Sequence, residues 1–307
     1  MKVPRHFLTL SDLSLAEHRS LFLRAHELKR RWKERLVESS LGGRTLVLIF
    51  EKASTRTRLS FEAAMFQLGG HAITLPYSES QLARGEPLSD TAKVTSRYCD
   101  ALMVRTFGDD RLGEFARHAS VPVINGLTDG GHPVQLLADL FTVEERLGGV
   151  QGKVVAWVGD GASNMARSWA EAARLFDFSL RIAAPEGFRL CAADVDAAKG
   201  HVQLVDTPSE AVKGADVVST DVWTSMGQEK ESARRLAALE GYCVDQALLQ
   251  MAKPSAIVLH CLPAHRGEEI TAEVMDSKQS AIYDEAENRL HVQKALLEKL
   301  ILDAQAR

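Results

Sequence analysis

Short apolar runs alternate with longer amphipathic stretches along most of the chain. The runs are four to six residues long, as expected for strands buried in a parallel sheet, and stand at 45–50, 101–104, 121–124, 154–158 and 256–259. The stretches between them carry apolar residues three and four positions apart, which is typical of amphipathic helices. This alternation predicts an α/β protein with two doubly wound parallel-sheet domains.

A glycine-rich segment, GGVQGK at 148–153, separates the two series of elements. Because 307 residues are too many for one ordinary core, the length also favours two domains of about 150 residues. We therefore expect a first domain at 1–150 and a second at 151–284. A short strand is predicted at 280–283, and the closing amphipathic helix, 285–307, is expected to pack back on the first domain.

The segment FEKASTRTRLSFEAAM, residues 50–65, carries the clearest chemistry. A polar turn, 54–58, follows an apolar run and precedes apolar residues at helical spacing. At a helix start the first N–H groups lack partners and the helix dipole is positive, so an anion is favoured there. Arginine adds forked donors that suit a phosphate group. The segment thus predicts a phosphate pocket; a capped helix with solvated arginines is the alternative.

Two more polar residues stand at predicted carboxyl ends of strands in the first half. Arg105 follows the run ALMV, and His132 precedes a helix that Pro133 suits as a first-turn residue. The carboxyl ends of parallel strands form the ligand crevice of such sheets. Arg105, His132 and the 54–58 turn are therefore expected at one site.

A polar loop at 77–90 is long enough to suggest a function, and Gln81 and Arg84 are its candidate ligand contacts. In the second half the predicted strand ends carry GDGASN, DVWTSMG and HCLP. The first of these turns does not fit the dinucleotide-binding fingerprint, because position 164 is Asn where a third glycine is required.

The composition narrows the class of ligand. A net charge of −4 gives no basic excess of the kind that nucleic-acid-binding proteins carry. The four cysteines lie far apart and form no C-x-x-C pair, which argues against a zinc site and a disulfide scaffold. No apolar segment suits a signal peptide or a membrane span. We therefore expect a cytoplasmic enzyme or binding protein for a small anionic ligand.

Seven segments in the same order resemble those of the aspartate/ornithine carbamoyltransferase family, and most closely its ornithine-using members. They are FEKASTRTR, SQLARGEPLSDTA, HPVQ, GDGASNMARS, DVWTSMGQE, HCLPAHRGEE and EAENR. The resemblance implies transfer of the carbamoyl group of carbamoyl phosphate to L-ornithine, giving L-citrulline and phosphate. It further implies an active site in the cleft between the two domains, no metal or organic cofactor, and a homotrimer with shared sites. It leaves open whether the product feeds arginine biosynthesis or degradation.

The resemblance also implies a set of site residues. The residues expected to contact carbamoyl phosphate are Ser54, Thr55, Arg56, Thr57, Gln81, Arg105, His132, Pro133, Val134, Gln135, Cys261, Leu262 and Arg289. Among these, Arg105, His132 and Cys261 are the implied catalytic residues, and Gln81 is expected to come from a neighbouring subunit. The implied ornithine contacts are Asn164, Asp221, Ser225 and Met226. Ser163 stands where many members have a second Asn.

The implied reaction is attack by a neutral amine on an acyl phosphate. Arg105, His132 and the Thr57 hydroxyl are expected to stabilise the negative charge that develops on the carbonyl oxygen. Positioning and electrostatics then account for most of the catalysis, with Cys261 as a covalent nucleophile the alternative. Two other readings remain open: a different acceptor amine, such as putrescine or an N-acylated ornithine, and a non-catalytic ligand-binding relative.

Overall fold

A computed structural model describes residues 4–224 and 229–305. Ser225 and Met226, two of the expected ornithine contacts, lie outside these residues. The chain divides into two compact units, the first formed by Met1–Leu137 with Arg289–Arg307 and the second by Ala138–Asn288. Within the described ranges, no helix is both long and apolar enough to cross a membrane.

The first unit contains a parallel sheet in the order β2-β1-β3-β4. Its strands are β1 (Thr45–Phe50), β2 (His71–Pro76), β3 (Ala101–Arg105) and β4 (Val123–Leu127). Its helices include α1 (Leu15–Lys33), α2 (Thr55–Gln67), α3 (Leu88–Thr95) and α4 (Asp109–His118). The apolar residues of β1 and β3 are buried, which accounts for the uninterrupted hydrophobic runs in the sequence.

The second unit contains a parallel sheet in the order β7-β6-β5-β8-β9. Its strands are β5 (Val154–Val158), β6 (Ser179–Ala183), β7 (Val202–Val205), β8 (Val217–Thr220) and β9 (Ile257–His260). Its helices include α6 (Asn164–Phe176), α7 (Ala192–Ala197), α8 (Pro208–Val212), α9 (Ser232–Leu239), α10 (Gln246–Leu249) and α11 (Ala272–Met275). Two helices, α5 (Pro133–Leu147) and α12 (Ile282–Gln305), have residues in both units.

The prediction of two parallel-sheet α/β domains is confirmed. The predicted strand at 280–283 is wrong, because α12 already begins at Ile282. Only an isolated bridge between Ser280 and Val258 remains of it. The apolar residues that suggested a strand have another explanation. Ala281 and Ile282 are buried because they pack at the start of α12.

Candidate functional site

The predicted phosphate turn lies where β1 passes into α2. Ser54 is the N-cap of α2, and its hydroxyl accepts a hydrogen bond from the Thr57 backbone N–H at 3.3 Å. Thr57 is buried, whereas Thr55 is exposed and Arg56 is half-buried. The helix start therefore combines a positive dipole with a partly accessible guanidinium, which is a suitable environment for an anion.

Arg289 ties this turn to the start of α5. One of its terminal nitrogens, Nη2, donates to the Thr57 hydroxyl at 2.8 Å, and the other, Nη1, donates to the side-chain oxygen of Gln135. All three side chains are buried. A forked guanidinium suits this role because its two nitrogens can hold two acceptors in fixed directions.

His132 lies in a strongly positive environment. Burial is the largest cause that lowers its pKa well below the ordinary value, and the charges of Arg289, Arg105 and Arg56 lower it further. The imidazole is therefore neutral at physiological pH. Three residues that the sequence placed on separate elements, Arg56, Arg105 and His132, thus share one region with Arg289. We call these four residues the arginine–histidine cluster.

The sheet explains how the arginine–histidine cluster is assembled. Phe50, the last residue of β1, pairs in register with Arg105, the last residue of β3. The Glu51 backbone N–H continues this pairing by donating to the Arg105 carbonyl at 2.8 Å. Because these neighbouring strands end at the same level, the turn after β1 and the side chain of Arg105 lie at one edge of the sheet.

The remaining first-unit residues of the predicted site are placed less uniformly. Pro133 and Val134 form the first turn of α5 next to His132, and Val134 is buried. Gln81 is exposed in a short 3₁₀ helix, Gln81–Arg84. Within the described chain, the Gln81 side chain makes no hydrogen bond to the arginine–histidine cluster.

A second polar group lies in the second unit, where β8 and β9 end. The Cys261 thiol donates to Asp221 Oδ1 at 3.1 Å, and the Val222 backbone N–H donates to the same oxygen at 2.8 Å. We call Asp221 and Cys261 the aspartate–cysteine pair. Burial raises the pKa of the Asp221 carboxyl, and burial followed by the charge of Asp221 raises the pKa of the Cys261 thiol well above its ordinary value. Cys261 is therefore a neutral thiol at physiological pH, which argues against its role as a thiolate nucleophile.

His260, the residue before Cys261, is buried and contacts Glu269. The sequence analysis assigned no role to either residue. The Leu262 backbone N–H donates to His260 Nδ1 at 2.9 Å, so the ring proton is on Nε2, which lies 2.9 Å from Glu269 Oε1. Both side chains are fully buried. The hydrogen bond also holds Leu262, whose φ of 59° lies in the left-handed region. The only sequence signal was the presence of His260 in the HCLP motif.

Asn164 is the first residue of α6, in the turn that follows β5. Ser163 is the N-cap of this helix, and its hydroxyl accepts from the Ala166 backbone N–H at 3.2 Å. Ser163 therefore has a structural role of its own in this chain. Since β5 and β8 are neighbours in the sheet, Asn164 and Asp221 follow adjacent strands.

Two groups of side chains bring possible metal-ligand atoms within 4.8 Å of one another in the described chain: Asp221 with His260 and Cys261, and His265 with Glu268 and Glu269. In the first group both imidazole nitrogens are already hydrogen-bonded and the thiol is protonated. These donors would have to give up existing partners to bind a metal.

The buried ion pair between Arg235 and Asp160 was also missed. It joins α9 to the turn after β5, and the Arg235 Nε donates to the Trp223 carbonyl at 2.6 Å. Asp160 belongs to the GDGASN segment, but an arginine on a helix 75 residues away gives no local sequence signal.

Two protein-family models match the chain, one in each half. The model described as aspartate/ornithine carbamoyltransferase, carbamoyl-P binding domain, matches residues 5–145. The model described as aspartate/ornithine carbamoyltransferase, Asp/Orn binding domain, matches residues 151–300. Together they cover nearly the whole chain.

Curated relatives match over almost their full length. Ornithine carbamoyltransferase of Herminiimonas arsenicoxydans is 54% identical, with 97% of this chain and 98% of the relative covered. That of Geobacter sulfurreducens is 52% identical, with 97% and 99% covered. Among solved structures, ornithine carbamoyltransferase from Burkholderia thailandensis is 50% identical with a TM-score of 0.90, and 97% of this chain and 99% of that chain are covered. The enzyme from Thermus thermophilus is 40% identical with a TM-score of 0.89, with 98% and 100% covered.

Proposed function

The chain belongs to the aspartate/ornithine carbamoyltransferase family, and we propose on that premise that it transfers the carbamoyl group of carbamoyl phosphate to the side-chain amine of L-ornithine. The products are L-citrulline and phosphate. The observation that carries the proposal is the arginine–histidine cluster, where three guanidiniums surround a buried, neutral imidazole beside a helix start. Full-length relatives named ornithine carbamoyltransferase support the choice of acceptor.

Carbamoyl phosphate binds first to the turn after β1. Its phosphate group accepts hydrogen bonds from the backbone N–H groups of Ser54, Thr55 and Thr57 and from the Arg56 guanidinium. The burial of Thr57 and its bond from Arg289 support this placement, because the hydroxyl is held in one orientation before the ligand arrives. Pro133, Val134 and Leu262 line the donor site.

Arg105, His132 and Thr57 surround the carbonyl oxygen of the donor. As the amine attacks, negative charge grows on this oxygen, and hydrogen-bond donors already in place stabilise it. The neutral His132 contributes an N–H donor, while the arginines contribute the positive charge. Gln135, fixed by Arg289, holds the carbamoyl amide group.

Ornithine binds on the second unit. Asp221 attracts the α-ammonium group, and Asn164, Ser225 and Met226 complete the acceptor site. The neutral Cys261 thiol lies beside the reacting nitrogen. The burial of Asp221 supports its role, since a carboxylate in a low-dielectric environment attracts a cation more strongly than one in water.

The transfer forms one bond and breaks one bond at the carbamoyl carbon. The nitrogen lone pair of the neutral side-chain amine forms a bond to the carbamoyl carbon, and the bond from that carbon to the phosphate oxygen breaks. Phosphate leaves with the electron pair, and the nitrogen then loses one proton. A lysine-like amine has a pKa of about 10.4, so the neutral form is about one molecule in a few thousand at pH 7.

Residues 1–150, with the helix at 285–307, form the carbamoyl-phosphate domain in this proposal, and residues 151–284 form the ornithine domain. The ranges of the two matching family models support the boundary near residue 150. The grouping of Arg289–Arg307 with the first unit supports the return of the last helix to the first domain. In this proposal the first domain binds the carbamoyl donor and the second binds the amine acceptor.

We also propose a homotrimer in the cytoplasm, with Gln81 contributed to a neighbouring site. Leu59 and Phe66 on α2 and Ile73 on the edge strand β2 are exposed apolar residues, which suits a surface that another subunit covers. The four cysteines are free, as is usual in a reducing compartment. Sedimentation velocity gives the number of subunits directly.

The test of the activity is a product balance. The purified protein is incubated with carbamoyl phosphate alone, with L-ornithine, with putrescine and with an N-acylated ornithine, and phosphate and ureido product are both measured. We expect equal amounts of phosphate and citrulline with ornithine, and only slow spontaneous phosphate release in the other samples. If putrescine is carbamoylated as fast as ornithine, the protein does not select ornithine as its acceptor. If no amine is carbamoylated, the protein is a non-catalytic relative.

A further inference from the structure

Glu51 is an acidic residue at a place where the site is otherwise positive. It follows β1 directly, and the phosphate turn begins three residues later, at Ser54. Only 3% of its side chain is exposed, although it lies in a polar sequence. A buried carboxylate is costly unless it is hydrogen-bonded, so its partners are informative.

Those partners come from two other elements of the first unit. The Thr106 hydroxyl donates to Glu51 Oε2, and Arg111 on α4 donates through Nε to the same oxygen at 3.0 Å and through Nη2 to Oε1. Thr106 is fully buried, whereas the Arg111 side chain is 41% exposed. The ion pair is therefore screened by solvent, and the buried bond to Thr106 is the more specific contact.

The backbone of Glu51 makes a parallel connection. Its N–H donates to the Arg105 carbonyl at 2.8 Å, while the adjacent Thr106 binds the Glu51 carboxylate. The main chain of Glu51 thus binds Arg105, the last residue of β3, and its side chain binds the next residue, Thr106. The phosphate turn begins three residues after Glu51.

We propose that Glu51 is a positioning residue that fixes the phosphate turn, residues 54–57, relative to Arg105. It does so through Thr106 and Arg111, without touching substrate. This inference rests on the proposed function, because it assigns Arg105 and the turn to one carbamoyl-phosphate molecule. A displacement of about 1 Å between groups that bind one small ligand can lower the reaction rate about 100-fold. Loss of the Glu51 contacts should therefore measurably weaken the use of carbamoyl phosphate.

Glu51→Met tests the proposal because it removes both carboxylate oxygens at similar side-chain length, and Glu62→Met is its matched control. Glu62 also accepts from one threonine and one arginine, with Thr74 at 2.6 Å and Arg58 at 2.9 Å, but it bridges α2 to β2 away from Arg105. We expect Glu51→Met to raise the KM for carbamoyl phosphate and the Kd of inorganic phosphate by about 10- to 100-fold. The KM for ornithine should change less than about twofold in both variants.

Substitutions of Thr106 provide a second test of the same proposal. Thr106→Ser keeps the hydroxyl and should retain affinity for carbamoyl phosphate, whereas Thr106→Val removes the hydroxyl and should reproduce the loss of Glu51→Met. The double variant of Thr106→Val with Glu51→Met should lose little more than either single variant, because both remove the same hydrogen bond.

Two outcomes overturn the inference. An affinity for carbamoyl phosphate in Glu51→Met equal to that of Glu62→Met would mean that no positioning depends on Glu51. An equal loss of affinity for both substrates, together with a lower unfolding midpoint, would mean that Glu51 only supports the fold. Calorimetric binding of inorganic phosphate does not need turnover, so it tests Glu51 even if the proposed transfer reaction fails.

Discussion

Asp221→Asn is the substitution that separates the two substrates most clearly. Asp221 is buried at the end of β8 and accepts hydrogen bonds from the Val222 N–H and the Cys261 thiol. Asparagine has nearly the same shape and keeps a side-chain oxygen for both donors. The variant therefore removes the negative charge with little other change.

The expected size of the effect follows from the burial of the carboxylate. Two unit charges about 4 Å apart attract by about 4 kcal/mol at the effective dielectric constant near 20 that suits protein sites. Each 1.4 kcal/mol corresponds to a factor of about ten. Burial raises the pKa of Asp221, so part of the attraction is offset by the cost of keeping it ionised. We therefore expect the KM for ornithine to rise about 100- to 1,000-fold.

The assay is steady-state citrulline formation at saturating carbamoyl phosphate, with the Kd of inorganic phosphate measured in parallel. Asp216→Asn is the control, because Asp216 precedes the same strand at its opposite end and pairs with Lys253 at 2.8 Å. We expect this control to change the KM for ornithine less than about twofold. A rise below about tenfold in Asp221→Asn, or an equal loss of phosphate affinity, would refute the assignment of Asp221 to the acceptor.

Three further predictions concern pH, the phosphate turn and acid stability. Turnover at fixed, subsaturating ornithine should climb steeply from pH 6 to 8.5, because the neutral amine increases about tenfold per pH unit; a flat profile contradicts the need for a neutral amine. Arg56→Ala should abolish binding of a carbamoyl-phosphate analogue in calorimetry while the circular dichroism spectrum stays unchanged, and near-normal affinity would show that Arg56 is not in the pocket. His291 is buried, and burial and nearby lysines lower its pKa to about 3. The unfolded chain therefore takes up the proton first, and this group costs about 1.4 kcal/mol of stability per pH unit below about 6.5, or about 2 kcal/mol at pH 5. His291→Gln should lose less stability than the parent protein between pH 7 and pH 5 in urea unfolding, and identical losses would contradict the lowered pKa.

Local physics explains why the proximity of Arg56, Arg105 and His132 could be predicted from the sequence. A strand that is buried on both faces must be apolar, so the run before residue 51 marked β1, and a polar turn before helical spacing marked the start of α2. The strand ends then placed Arg105 and His132 at one sheet edge, because parallel strands bring their carboxyl ends together. These inferences need only neighbouring residues.

The contacts that complete the site depend on residues far apart in the chain. Arg289 contacts Thr57 across 232 positions and Gln135 across 154. Only the family resemblance of the EAENR segment indicated Arg289, because the helical pattern around it also fits a solvated arginine. Glu51 resembles an exposed turn residue in the sequence and becomes buried only because Thr106 and α4 cover it. The roles of all the expected substrate contacts, Gln81, Ser225 and Met226 among them, stay predictions.

We propose that the arginine–histidine cluster binds the carbamoyl donor and the aspartate–cysteine pair binds the amine acceptor during one reaction. A crystal structure with a phosphonate that joins a carbamoyl-phosphate mimic to ornithine tests it most directly. We predict the phosphonate at residues 54–57 with its carbonyl oxygen at Arg105 and His132, and the α-ammonium group of the same molecule at Asp221. A ligand bound to only one of these groups, or elsewhere on the protein, would contradict the claim.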